Sequence, residues 1–472
     1  MLQDQDVYHA RQLVSPSKTA NMKFFGNHYF PLLAAVSGLS VAAATNFSLP
    51  EPVALDFGSG VIGALHRPEV SGPKAGIVVY VMHAESDYMQ FTVCKELQKR
   101  GYTVLCANNA ASKWGTMSDI YLEGLMSDVA EGVTWLRNQS SVDKIVLWGH
   151  SGGGAMFSAY QNIAENGASA CNGSEKVYPC SDAMDNLPPA DGVMLIDANY
   201  GLSTMYLLSL NPAIEDESNG YQVNQTLNLY NPSTGFTTSG ANYTAEFARA
   251  YFAGVSRRNN RIIDFAVERL AAINNGTGLF SDDEPLYVPD AQYGVNNNKF
   301  FSQDVNYLSH TTYAWPLLQK GGNVTTEVVR TVRVPVNFES ISNQYMQGAL
   351  KTTITRFLPT FAMRTTDDFA MNATELSGID WDSSSMVPRS AAKGITVPLL
   401  TMGMTGHWEF LNAEKIYLAS PSNDKSIAFV EGAQHTIDTC TDCEKYPGEF
   451  GDTLKTAYDY MAEWLGEEGR FL

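Results

Sequence analysis

The chain has 472 residues, 44% hydrophobic and 17% charged, the proportions of an ordinary globular protein and not of a disordered one. That length admits roughly two to four average domains, or one α/β core carrying insertions. A net charge of −19 argues against nucleic acid or an anionic membrane as a standing partner, since both repel surplus negative charge.

Met22–Ala44 (MKFFGNHYFPLLAAVSGLSVAAA) has one lysine, an apolar run and a small-residue end, the layout of a secretory signal peptide cut near Ala44. The true start is therefore expected at Met22, with Met1–Asn21 an upstream leader. The apolar run from Phe30 is too short and too interrupted for a stable membrane span, and nothing later exceeds it. A secreted, extracellular protein is the expectation. Eight N-x-S/T sequons agree with export, at Asn46, Asn138, Asn172, Asn224, Asn242, Asn275, Asn323 and Asn372. Cysteine usage points the same way. Cys171 and Cys180 bracket a short polar loop and are expected to form a local disulfide. Cys440 and Cys443, in CTDC, are expected to close a tight bridge, because no thioredoxin-like context supports a redox reading. Cys94 and Cys106 fit buried thiols as well as a third bridge.

Pro52–Glu69 alternates weakly and suggests one or two opening strands. Gly76–Met82 (GIVVYVM) is a continuous apolar run, the mark of a strand covered on both faces in a parallel sheet. A helix over Met89–Arg100, a second buried strand over Tyr102–Ala107 and a helix over Tyr121–Gln139 follow. Next come the strand Ile145–Trp148, a Gly-rich turn and a helix over Ala155–Asn166, then the strand Gly192–Ile196, which runs straight into Asp197. This alternation predicts an α/β fold with a doubly wound, mostly parallel sheet, whose chemistry gathers at the carboxyl ends of the strands. The rhythm breaks at Tyr200 and resumes near Ile395. In between lie an amphipathic helix, roughly Ala245–Ile273, and polar loops. A strand over Ile395–Met402, a helix near Asn412–Ala419, a last strand over Ser426–Glu431 and a helix over Gly448–Leu465 complete the pattern. The expected layout is a core over 45–199 and 391–472, with 200–390 inserted as a lid or cap between its sixth and seventh strands; a separate binding domain is the weaker alternative.

The chemistry centres on KIVLWGHSGGGA, Lys144–Ala155. Strand, tight turn and helix are what a G-x-S-x-G nucleophile elbow requires, with Ser151 at its apex. A serine hydroxyl is a poor nucleophile until a base takes its proton and a third group orients that base. His435, in the loop after the last strand, is the expected base. Two acids stay open. Asp197 directly follows an apolar strand, where an unpaired carboxylate would be costly, and is favoured; Glu409 is nearer the slot after the seventh strand but displaced by three residues. The oxyanion hole is expected from the backbone N–H of Gly152 and, in the loop after GIVVYVM, of Glu85. No metal constellation, phosphate loop or dinucleotide fingerprint is legible, so no cofactor is expected.

Together GHSGGGA, LIDANYG, VPLLTMGMTGHWEF and VEGAQH resemble the α/β-hydrolase superfamily. Their layout is nearest to its platelet-activating factor acetylhydrolase branch, where the acid follows the strand after the elbow. The resemblance covers roughly 75–110, 143–200 and 390–440, and Ala84 departs from the usual glycine of the oxyanion loop. It implies hydrolysis of carboxylic esters through an acyl-serine and favours Asp197 over Glu409. The expected partner is a small ester with an apolar acyl or aromatic part. Lipase, lactonase, thioesterase and peptidase chemistry fit the same residues. A non-catalytic binding module on this fold, or an acyltransferase or cyclase using the same triad, are the alternatives.

Overall fold

The computed structural model describes residues 49–113, 117–294, 298–336 and 348–472. The leader, the signal peptide and Asn46 fall outside the described residues. Six strands open the chain: β1 (Val53–Asp56), β2 (Ile62–His66), β3 (Ile77–Val81), β4 (Thr103–Asn108), β5 (Lys144–Ser151) and β6 (Gly192–Ala198). Between them run helices α1 (Thr92–Lys99), α2 (Leu122–Arg137) and α3 (Gly152–Asn166).

All six join one ten-stranded sheet in the order β1, β2, β4, β3, β5, β6, followed by the strands Leu399–Met404, Lys425–Val430, His310–Leu318 and Val324–Arg330. From β4 to Lys425–Val430 every neighbour pairs in parallel; the opening hairpin and the last edge strand are antiparallel. The first eight strands thus take the spatial order 1-2-4-3-5-6-7-8 of an α/β-hydrolase sheet. The protein has that fold.

Period-two alternation explains why the central strands look continuously apolar. Val78 and Tyr80 of β3 face a core shared with Val129 and Val133 of α2 and Phe157 of α3. Ile77, Val79 and Val81 face the opposite core, with Leu97 of α1 and Tyr458 and Met461 of the closing helix Thr453–Leu465. Both faces are covered, so neither tolerates a polar alternate.

The segment between β6 and Leu399 holds the 30-residue helix Ala245–Asn274, whose first turn is capped where the Thr244 side chain accepts from the Phe247 N–H. It also supplies His310–Leu318 and Val324–Arg330. The first pairs in parallel with Lys425–Val430 through Leu317 and Leu318, so this pair of strands belongs to the central sheet. Three disulfides join Cys94 to Cys106, Cys171 to Cys180 and Cys440 to Cys443, leaving no cysteine free among the described residues. The first ties α1 to β4. Among the other sequons, Asn138, Asn172, Asn242, Asn275, Asn323 and Asn372 are exposed and Asn224 is half-buried.

Candidate active site

β5 is buried from Ile145 to His150 and delivers Ser151 to the carboxyl end of the sheet. Ser151 takes φ 53° and ψ −126°, a conformation a non-glycine residue avoids unless its surroundings enforce it. The enforcement is close packing beneath the turn. A Cβ on Gly153 would stand 2.5 Å from the Met82 carbonyl oxygen, and one on Gly154 would collide with Ala198. Only glycine lets α3 begin there.

Asp197 reaches the same edge through an irregularity in β6. His150 pairs with Ile196 but Ser151 pairs with Ala198, so β6 carries one extra residue at 197. Such a bulge re-aims a side chain, and Asp197 accordingly has φ 41°. Its carboxylate is fully buried and well supplied with donors. Oδ1 accepts the Met404 N–H at 2.9 Å, while Oδ2 accepts from His435 Nδ1 at 2.7 Å and His407 Nδ1 at 3.2 Å. Burial alone would raise its pKa, but the two imidazole hydrogen bonds prevail and hold it well below the usual carboxylate range.

His435 lies in the loop after Lys425–Val430. Its ring packs against His150 and His407, with centroids 4.4 and 4.1 Å away. Burial, then the neighbouring His407, lower its pKa below the ordinary 6.5, opposed by the bond to Asp197, so the ring is neutral near pH 7. Its backbone is anchored as well. The His435 carbonyl lies 2.6 Å from His150 Nε2 and Tyr88 Oη lies 2.5 Å from His150 Nδ1. A carbonyl only accepts, so His150 Nε2 carries the proton and Nδ1 accepts from the tyrosine hydroxyl.

On the other side of the elbow stands His83. Its Nδ1 faces two backbone donors, the N–H groups of Glu85 at 3.0 Å and Ser86 at 2.8 Å, and its Nε2 faces a third, the Gly152 N–H at 3.1 Å. Burial keeps this ring well below its usual pKa and hence neutral, with one accepting nitrogen. Backbone donors thus face both ring nitrogens, two at Nδ1 and one at Nε2. The N–H groups of Gly152 and Glu85, the two expected oxyanion donors, both point at the His83 ring.

Glu409 is 2% exposed. Its Oε2 lies 3.6 Å from His435 Nδ1 and has no hydrogen-bond partner among the described residues. Burial, and then the charge of Asp197, push its pKa well above the usual value, against the pull of Lys299. Of the two candidate acids, Asp197 is the one in hydrogen-bond contact with His435. Lys299, itself buried, donates to the Tyr293 carbonyl at 3.0 Å, and burial pushes its amine down to about 7. A cavity of about 440 Å³ is lined by Glu85, Ser86, Lys113, Ile120, Tyr293 and Leu350, among others.

The roles of His83, His150, His407 and Lys299 were not anticipated. The three histidines had a visible signal, since each lies within a few residues of an apolar run, where this fold keeps its chemistry.

No family model matches the chain, and no curated protein matches it. Among solved structures it is similar to the siderophore hydrolase EstB from Aspergillus fumigatus, at 9% identity over 89% of this chain and 98% of that one, TM-score 0.42. A soluble variant of monoglyceride lipase from Saccharomyces cerevisiae, bound to a substrate analogue, is similar at 13% identity over 89% and 96%, TM-score 0.38. Brefeldin A esterase, a bacterial homologue of human hormone-sensitive lipase, is similar at 11% over 88% and 76%, TM-score 0.38. The fold itself is carried by strand order and register.

Proposed function

We propose that this protein is a secreted serine hydrolase that cleaves carboxylic esters through an acyl-serine. The observation that carries the reading is the bent Ser151 beside a strand whose extra residue, Asp197, grips His435 at 2.7 Å. In this reading the Ser151 hydroxyl attacks the ester carbonyl while His435 Nε2 takes its proton. Asp197 keeps the proton of His435 on Nδ1 and stabilises the imidazolium that forms. The oxyanion receives the Gly152 N–H, which faces His83 Nε2 in the free protein, and the Glu85 N–H of the neighbouring loop. His435 then returns the proton to the leaving alcohol, and water repeats the cycle on the acyl-enzyme.

The placement of the acid after the strand following the elbow supports a layout like that of the platelet-activating factor acetylhydrolase branch. Three disulfides and exposed sequons support export. Residues 200–390 are proposed to cover the strand tips in part, since Lys299 and Tyr293 of that segment approach Glu409 and the Glu85 cavity. That cavity mixes apolar walls with Lys113 and Asp119, which suits an ester carrying a polar group as well as an apolar acyl or aromatic part.

A fluorophosphonate probe tests the reading. It should label wild-type protein at Ser151, and Ser151→Ala should lose the label together with hydrolysis of a graded ester panel, by about a millionfold. Folded protein that takes no label would reject catalysis. A probe-labelled protein that transfers acyl groups to an added alcohol in preference to water would assign the acyltransferase alternative.

A further inference from the structure

Four residues from three distant segments bring one ligand atom each into a common volume. Asp197, His407, Glu409 and His435 offer donor atoms that all lie within 4.8 Å of one another. Asp197 Oδ2 is 2.7 Å from His435 Nδ1 and 3.2 Å from His407 Nδ1, and Glu409 Oε2 is 3.6 Å from His435 Nδ1. A tetrahedral zinc ion with bonds of about 2.0–2.1 Å sets its donors about 3.4 Å apart. The observed separations straddle that spacing.

Hydrolysis does not account for the whole cluster. A Ser-His-Asp relay needs one imidazole and one carboxylate, yet a second of each stands here. Glu409 supplies the independent sign. A carboxyl group that is 2% exposed, with an oxygen lacking any hydrogen-bond partner among the described residues, is costly to retain unless something occupies its lone pairs. That oxygen lies 3.6 Å from His435 Nδ1. Two imidazoles with two carboxylates favour a borderline ion such as Zn²⁺ over Mg²⁺ or Ca²⁺, which prefer all-oxygen shells. They would also neutralise its two charges.

We propose that Asp197, His407, Glu409 and His435 form a site for a divalent transition-metal ion, and that filling it switches the serine off. The switch follows from His435. To bind through Nδ1 the ring must present its lone pair there, so its proton moves to Nε2. An Nε2 that already carries a proton cannot accept one from Ser151. The ion also takes Asp197 Oδ2, the atom that orients the base. The binding half of this inference stands on the cluster alone; the inhibitory half rests on the hydrolase reading.

The experiment separates the two. Full-length protein freed of metal with a chelator, alongside Ser151→Ala, Glu409→Gln and His407→Gln, is titrated with Zn²⁺ by calorimetry and with Co²⁺ by visible absorption; melting curves verify that each variant is folded. Wild type and Ser151→Ala should each bind one ion, with the intense absorption of a tetrahedral cobalt centre. Glu409→Gln and His407→Gln should each bind on the order of 100-fold more weakly. If wild type binds no stoichiometric ion, or both ligand variants bind as tightly as wild type, the site is refuted. Should those variants not fold, loss of the cobalt spectrum on adding Zn²⁺ to Ser151→Ala, and its shape, still decide. In parallel, wild type is treated with fluorophosphonate before and after Zn²⁺. Labelling slowed at least tenfold by Zn²⁺ and restored by chelator supports the switch, and labelling indifferent to a bound ion overturns it. Protein that binds the ion but never labels keeps the metal site and discards the hydrolase.

Discussion

Two imidazoles near the elbow differ in what faces them. At His83 two backbone N–H groups meet Nδ1 and a third, from Gly152, meets Nε2. At His435 Nδ1 meets the Asp197 carboxylate, so it must donate, and Nε2 keeps its lone pair. Both rings are held neutral by burial. The carboxylate behind His435 thus decides its tautomer, whereas His83 is met by donors alone.

The comparison breaks most visibly if the carboxylate is neutralised. Asp197→Asn presents an amide that can donate to Nδ1, which leaves the proton of His435 on Nε2. Ester hydrolysis should fall about ten-thousand-fold in kcat with the fold intact, measured by steady-state kinetics and circular dichroism. Retention of most activity would mean that Glu409 or His407 orients the base. Next in size is His83→Phe, which keeps a flat ring but leaves the Glu85, Ser86 and Gly152 N–H groups without their acceptor. We expect urea denaturation to register a loss of about 1–3 kcal/mol. An unchanged stability would give the ring a packing role only.

The pH profile sharpens the contrast. His435 acts only when neutral, and burial lowers its pKa below 6.5. Protonation therefore removes the base at a lower pH than for a free histidine: kcat/KM should be flat above 6.5 and decline only below it. An acid limb centred above 6.5 would contradict the burial argument. The smallest effect concerns the outer support. Tyr88→Phe deletes the hydroxyl that donates to His150, whose Nε2–H in turn holds the His435 carbonyl. Urea denaturation should register a loss of about 1 kcal/mol, and activity only a few-fold decline.

Much of this was legible in the residues, for a definite reason. Ser151, Asp197 and His435 each follow an apolar strand closely, and a polar residue at such a spot has few structural excuses. The central strands were legible because both of their faces are buried. His310–Leu318 was not: it contains Pro316, alternates between covered and open positions, and touches its parallel neighbour only near its end. That His83 folds back onto the amides of Glu85 and Ser86 was not legible, because the residue pattern does not reveal it. The cluster of Asp197, His407, Glu409 and His435 escaped for another reason. Its members carry no fixed spacing; the sheet order alone unites them.

The added residue at position 197 has a consequence for how this chain can change over generations. Deleting that single amino acid would let β6 run in step with β5 from His150 onward, and the backbone there would relax into ordinary extended geometry. The other strands of the open sheet and the three disulfides lie outside that bulge. If the protein is the hydrolase proposed above, a relaxed but inert descendant is one deletion away.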